Sequence, residues 1–182
     1  MVIFEITKEI LMESYTILKY PDKRLFKKSE DVKEDEFETK ELINIIKRMY
    51  HTMKINNGIG LAAPQVNIHK NIIVLSVENT KMTLINPKII QKSNEVTSLV
   101  EGCLSMPNVS GSVTRSKDIE VHYSDEYGKR FSLKCSGLLA KCIQHEIDHL
   151  NGVLYVNRME GLKKRFLLKK YEKLNKWSGN EY

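Results

Sequence analysis

The stretch QHEIDHLNG, Gln144 to Gly152, constrains this chain more than any other. Two histidines four residues apart on a helix lie about 40° apart in rotation, so the rings of His145 and His149 can meet at one metal ion. Glu146 then stands beside the ion without binding it. That is the H-E-x-x-H arrangement, two neutral imidazole ligands and one carboxylate base. The neighbouring residues support a helix over about Gly137 to Leu150. Leu138, Leu139, Ile143, Ile147 and Leu150 supply an apolar stripe, and Gly152 is placed to end the helix in the left-handed conformation. An amphipathic helix with ordinary core histidines is the alternative, but His, Glu and His at this spacing favour a metal site.

Two further ligand schemes built on this motif fail downstream. A continuation H-x-x-G-x-x-H is met at Gly152, but Tyr155 stands where the last histidine belongs. Glu172, the glutamate available on a later helix, falls in a lysine-rich segment that reads as a solvated surface. The third ligand is therefore sought upstream among Cys103, Cys135, Cys142, His69 and His122. A thiolate with two imidazoles suits Zn²⁺ or Fe²⁺. Cys142 would put three ligands on one rigid helix, a poor geometry for a tetrahedral site, and reads as a small apolar residue nearby. Cys135 sits in a strand candidate and reads as core. Cys103 follows a glycine in a kinked segment between strands, a place from which a side chain can project at a metal. The residues themselves leave the choice open.

The 182 residues suit one domain with a real core, and no apolar run approaches the length of a transmembrane helix. The N-terminus carries acids early and lacks the basic start and long apolar stretch of a secretory signal. Three cysteines form no regular framework. A reducing, cytoplasmic location is expected. The net charge of +6 is uneven: Arg158 to Tyr182 holds eight Lys/Arg against three Asp/Glu, so the rest of the chain is nearly neutral. A basic tail of this kind meets an anionic surface; it does not make a DNA-reading domain.

Residues 1–14 read as an N-terminal extension, 15–160 as the catalytic body and 161–182 as a basic C-terminal helix. Within the body, Tyr15 to Tyr20 is a short apolar segment. Leu42, Ile46, Met49 and Met53 recur at helical spacing, which predicts a helix over Lys40 to Lys54 carrying a partly exposed His51. GIGLAAPQ, Gly58 to Gln65, reads as a constrained turn or a backbone surface for a substrate. Strands are expected at Ile72 to Val77, at Met82 to Asn86 (ended by Pro87), at Glu95 to Val100, Ser112 to Arg115, Ile119 to Tyr123 and Arg130 to Lys134. Val153 to Val156 reads as short and extended. The last helix, Gly161 to Trp177, has Leu167, Tyr171, Leu174 and Trp177 on one face and lysines on the rest. The sum is an α+β fold, with short, mainly antiparallel strands packed around a central metal-binding H-E-x-x-H helix and with N-terminal and C-terminal helices.

Three stretches in order, GIGLAAPQ at 58–65, EGCLS at 101–105 and QHEIDH at 144–149, resemble the three motifs of the peptide deformylase family (type 1, bacterial-like), and the likeness runs from about Tyr15 to about Met159. The resemblance implies Cys103, His145 and His149 as metal ligands. It implies Fe²⁺ as the metal, with Zn²⁺, Ni²⁺ or Co²⁺ as substitutes. The implied reaction removes the N-formyl group from the initiator methionine of nascent polypeptides and releases formate. Glu146 would be the general base and acid, and Gln65 with the backbone N–H of Leu104 would hold the developing oxyanion. Ile59, Leu99, Leu138 and Cys142 would line the methionine pocket beside His145, and Gly60 would let the substrate backbone lie alongside. Glu101 and Asp148 would support the ligands, with Arg115 as an ionic partner or, more commonly, an exposed arginine.

Two positions depart from well-studied bacterial members. Lys141 stands where an apolar residue is common, expected at the pocket rim with its amine in water, and Ser110 stands where an arginine often helps hold the peptide. The partners implied are N-formylmethionyl peptides and, through the basic helix, ribosomal RNA; no DNA and no membrane. Two rival readings are a metallopeptidase cutting internal bonds and an RNA-associated protein with a structural metal.

Overall fold

The structure, a computed structural model, describes residues 13–78 and 80–177, with the backbone alone at Lys176 and Trp177. The expected extension therefore lies, up to residue 12, outside the described residues, as does the side chain of Trp177. Helix α1 spans Lys40–Ile55, its start capped by Thr39, whose hydroxyl accepts from the Leu42 N–H at 3.2 Å. Leu42, Ile46, Met49 and Met53 are all buried, as their spacing predicts. The strands are β1 (Gly60–Ala62), β2 (Ile72–Val77), β3 (Thr80–Lys92), β4 (Val96–Cys103), β5 (Met106–Ser116), β6 (Asp118–Ser124) and β7 (Arg130–Ser136). They form a five-stranded antiparallel sheet in the order β1-β2-β3-β6-β7 and a separate β4–β5 hairpin. Helix α2 spans Gly137–Leu150 and helix α3 spans Gly161–Trp177.

The apolar run Ile72–Val77 does not alternate because the sheet is covered on both faces. Ile72 and Val74 join the core under α1. Ile73, Leu75 and Val77 join the core under α2, with Ala140, Ile143 and Leu150. A third cluster sits under the hairpin, where Met106, Val109 and Val113 meet Tyr155 and the α3 residues Leu167 and Tyr171. The α3 stripe is thus narrower than its periodicity suggests, since Leu174 is exposed. Helix α2 ends as expected: Gly152 has φ +70°, its N–H donates to the His149 carbonyl, and the Val153 N–H donates to Asp148. These two bonds are a Schellman closure.

Several expected boundaries move: β4 runs on through Cys103, which was expected between strands, and β5 begins at Met106, well before Ser112. Two others are fixed by asparagine side chains. Pro87 does not end β3: Asn86 takes φ +52°, the register shifts between Ile85 and Lys88, and the strand continues to Lys92. A bulge is where a strand tolerates a residue with no N–H to give. The Asn86 side chain holds the bend by bonding both the N–H and the carbonyl of Val32, each at 2.8 Å. Val153 to Val156 is not extended throughout; Tyr155–Arg158 is a 3₁₀ turn, its start fixed by Asn157, which accepts from the Leu154 N–H.

Ile143 is wholly buried between α2 and the sheet. Replacing it with Ala leaves a cavity under the helix that carries the motif, and is expected to cost about 2–5 kcal/mol. Urea unfolding of I143A against the parent measures this as a lower midpoint at unchanged slope.

Candidate active site

Helix α2 packs against β1 on one side and the β4–β5 hairpin on the other. Each contributes part of one centre. The hairpin register, regular from Val96 to Gly102, slips at Cys103, which pairs with Met106. That irregularity turns the Cys103 side chain toward α2. Its Sγ lies 3.2 Å from His149 Nε2. One ligand-type atom from each of Cys103, His145 and His149 lies within 4.8 Å of the others. His145 Nδ1 lies 2.8 Å from Glu101 Oε2. Because a carboxylate only accepts, Nδ1 carries the hydrogen and the Nε2 lone pair is left for the centre.

The sulfur is surrounded by donors. The Ser105 N–H reaches it at 3.4 Å and Gln65 Nε2 at 3.6 Å. Burial opposes ionisation of the Cys103 thiol, but the His149 and His145 imidazoles outweigh it and hold its pKa well below the usual thiol range. Glu146, 4% exposed, has an Oε2 with no partner, and its pKa is raised because burial disfavours the charged carboxylate. A soft sulfur, two imidazole nitrogens and an orphaned carboxylate fit a divalent transition metal with a free coordination position.

The first motif is a short strand followed by a 3₁₀ turn (Ala63–Val66) instead of a free loop. Gln65 is buried, and its Oε1 accepts the Ala62 N–H at 2.8 Å. That bond turns Nε2 toward Cys103 and toward Ser105 Oγ, 3.2 Å away. Gly60 has a reason beyond substrate access. A Cβ there would strike Glu146 Oε1 and come within 2.9 Å of Cys142 Sγ, so any larger residue would displace the Glu146 carboxylate or part β1 from α2. Residues Leu18 to Tyr20 tie the motifs together: the Leu18 N–H donates to Gln65 O, the Tyr20 N–H to Ser105 O, and Lys19 Nζ to the Leu104 carbonyl at 2.6 Å.

Behind the side chains of Cys103, His145 and His149 lies a buried ion network. Arg115, 6% exposed, donates through Nε and Nη2 to both oxygens of Glu101 (2.6 and 2.9 Å) and through Nη1 to Asp148 (2.8 Å). Asp148 also accepts from Arg158. The arginine is thus an internal partner, not an exposed one. Burial would raise the Glu101 pKa, but hydrogen bonds from Arg115 and His145 bring it down to about 2. The stability Glu101 contributes is therefore present above the ordinary carboxylate range and is lost as pH falls toward 2.

A cavity of about 380 Å³ opens beside the centre, lined among others by Ile59, Gly60, Leu99, Leu138, Lys141 and Cys142. Ile59, Leu99 and Leu138 are half-exposed at its mouth and Cys142 is buried. All the expected pocket residues meet there. Lys141 does not sit at the rim with its amine in water: it is 3% exposed and its Nζ is buried. One turn before His145, it shares the helix face that turns inward. Ser110 is exposed on β5, opposite Gly102.

His69, His122 and Cys135 stay out of the centre. Burial pushes the Cys135 thiol up to about 11. Three participants were given no role from the sequence. Ser105 fixes Gln65 and Cys103, Lys19 holds the Leu104 peptide, and the Tyr155 ring stacks on His145 with centroids 6.0 Å apart. Ser105 was within reach of sequence reasoning as the last residue of EGCLS.

A sulfur and two imidazoles around one point, with an unbound carboxylate beside an apolar cleft, define a metal-dependent hydrolase. The family model of polypeptide deformylase matches residues 14–165. The chain is 42% identical over 170 residues to the peptide deformylase of Blochmanniella floridana, covering 92% of this chain and 94% of that one. Its fold is similar to that of a peptide deformylase from Legionella pneumophila (TM-score 0.85, 32% identity, 93% of this chain and 100% of that one). It is likewise similar to the Met-Ala-Ser-bound class I type b peptide deformylase of Acinetobacter baumannii (TM-score 0.80, 31% identity, 82% and 100%). The chain belongs to the peptide deformylase family, and its activity is removal of the N-formyl group from nascent peptides.

Arg115→Ala leaves the Glu101 and Asp148 carboxylates buried with their shared cation gone. It is expected to cost about 3–5 kcal/mol in urea unfolding at neutral pH, the magnitude of a broken buried ion pair.

Proposed function

We propose that Cys103, His145 and His149 hold the catalytic metal, that Glu146 is the general base and acid, and that Gln65 with the Leu104 N–H stabilises the oxyanion. The single observation that carries this reading is the buried, unpartnered Oε2 of Glu146 next to the Cys103–His149 pair. The thiol-and-imidazole donor set supports Fe²⁺, with Zn²⁺, Ni²⁺ or Co²⁺ able to replace it. When bound, the metal supplies Lewis acidity, which acidifies the attacking water and polarises the formyl oxygen.

Each side chain has one task. Glu146 takes the water proton on its free carboxylate oxygen and returns it to the leaving amine; its raised pKa suits both halves of that transfer. Gln65, locked by the Ala62 N–H, offers Nε2 as a pre-set donor where negative charge develops. Lys19 holds the carbonyl of Leu104, which steadies the peptide segment that presents the Leu104 N–H. Ile59, Leu99, Leu138 and Cys142 receive the methionine side chain and exclude water from it. Met-Ala-Ser, bound by the Acinetobacter relative, is the product form of such a substrate.

The protein works in the cytoplasm, in keeping with its three free cysteines. Among the described residues no helix is long and apolar enough to cross a membrane. Residues 15–160 make up the catalytic unit, and the helix beyond it, with Lys163, Lys169, Lys170 and Lys173 exposed, meets ribosomal RNA. Reversing these four lysines to glutamate is expected to abolish salt-sensitive co-sedimentation with ribosomes and to leave tripeptide turnover intact.

Formate release from formyl-Met-Ala-Ser by anaerobic, Fe²⁺-loaded protein tests the catalytic assignment. Glu146→Gln is expected to keep bound metal at the parent's stoichiometry and to lose at least about a hundredfold in kcat, within the range a positioned base supplies. Full activity in that variant would remove Glu146 from the chemistry.

A further inference from the structure

Lys141 lines the substrate cavity one turn from both Leu138 and His145, and it is 3% exposed. Its Nζ is buried and has no hydrogen-bond partner. The charges that reach it are Glu101 and Arg115, which act on it in opposite directions. Neither is bonded to it. Arg115 has no acceptor, and the Glu101 oxygens take their bonds from other donors, Oε1 from Arg115 Nε and Oε2 from Arg115 Nη2 and His145 Nδ1. A buried donor without an acceptor is costly, and natural interiors rarely leave one. Here the donor belongs to a wall of the cavity that takes the first side chain of the substrate.

The wall residues expected to take the methionine side chain, Ile59, Leu99, Leu138 and Cys142, are apolar or nearly so, and the polar lining residues Asn57 and Asn108 are exposed. A methionine thioether is a weak acceptor and leaves the lysine unsatisfied. Oxidation to the sulfoxide keeps the length of the side chain and adds a strong acceptor oxygen. In a wholly apolar pocket that oxygen would be buried unpaired and the oxidised substrate rejected. Lysine's flexible four-carbon stem lets Nζ turn into the cavity that it lines.

Resting on the deformylase reading above, we propose that Lys141 is a specificity-determining residue that lets the pocket accept N-formylmethionine sulfoxide as well as N-formylmethionine, its Nζ donating to the sulfoxide oxygen. Position 141 therefore sets the ratio between the two substrates, and it does so through binding of the side chain, not through the chemical step.

The test is kcat/KM for formyl-Met-Ala-Ser and for each sulfoxide epimer of formyl-Met(O)-Ala-Ser, with metal-loaded parent and K141L. In the parent, the better epimer is expected within about tenfold of the unoxidised peptide. In K141L the ratio is expected to move at least about tenfold further against the sulfoxide, chiefly through KM, as loss of a donor to a buried oxygen requires. Calorimetric binding of the products Met-Ala-Ser and Met(O)-Ala-Ser should shift in the same direction. An unchanged ratio in K141L overturns the proposal. Should K141L fail to fold, the parent alone decides: a sulfoxide peptide disfavoured by more than about a hundredfold overturns it. No formate from formyl-Met-Ala-Ser would instead defeat the deformylase reading, so the two failures are distinct.

Discussion

The guanidinium of Arg115 joins the two halves of the site. It reaches from β5 to Glu101 on β4 and to Asp148 on α2. Glu101 passes the constraint to His145 through the ring nitrogen that faces away from the centre. The hairpin that carries Cys103 is thereby held in register with the helix that carries His145 and His149. Burying the three charged groups Arg115, Glu101 and Asp148 is expensive, and the same volume filled with apolar side chains would often be at least as stable. What the network supplies is position and tautomer: a histidine whose far nitrogen is fixed, on a helix held against its partner strand.

The near side of the centre is organised by close approach. Gly60 lets β1 lie against α2 with Glu146 between them, and the 3₁₀ turn that follows aims Gln65 at the same sulfur. The result is a thiol held by two imidazoles and two N–H donors, with a carboxylate kept out of water. Low local dielectric strengthens each of these interactions and shifts the groups away from their ordinary protonation. On the proposed reading, the surrounding apolar cleft serves the substrate and the chemistry together, since walls that receive a methionine side chain also exclude bulk water from Glu146.

Much of this architecture is written in local patterns. Helix α2 begins and ends where its stripe and Gly152 place it, and β2 matches its β-branched run, because both signals act within a few residues. Where distant parts of the chain intervene, the pattern misleads. Pro87 reads as a stop, but the Asn86 side chain holding Val32, over fifty positions away, turns it into a bulge inside a longer strand. Arg115 reads as an ionic partner of one nearby acid or, more commonly, an exposed cation, until two acids from separate elements enclose it. Lys141 reads as a rim residue until the hairpin covers it.

The H-E-x-x-H helix was enough to define a metal site with a carboxylate base, because ligand type and helical spacing are local properties of the chain, whereas the cysteine and the glutamine were implied by the likeness of two other motifs to the family. Which cysteine joins the histidines, and which charges vanish into the interior, depended on how the hairpin, β1 and α2 pack. Cys103, Cys135 and Cys142 are equal as thiols. They differ in the field and the neighbours that tertiary contacts give them, two imidazoles in one case and apolar burial in the others. That difference arises from residues more than forty positions apart meeting at about 3 Å, a distance no local pattern encodes.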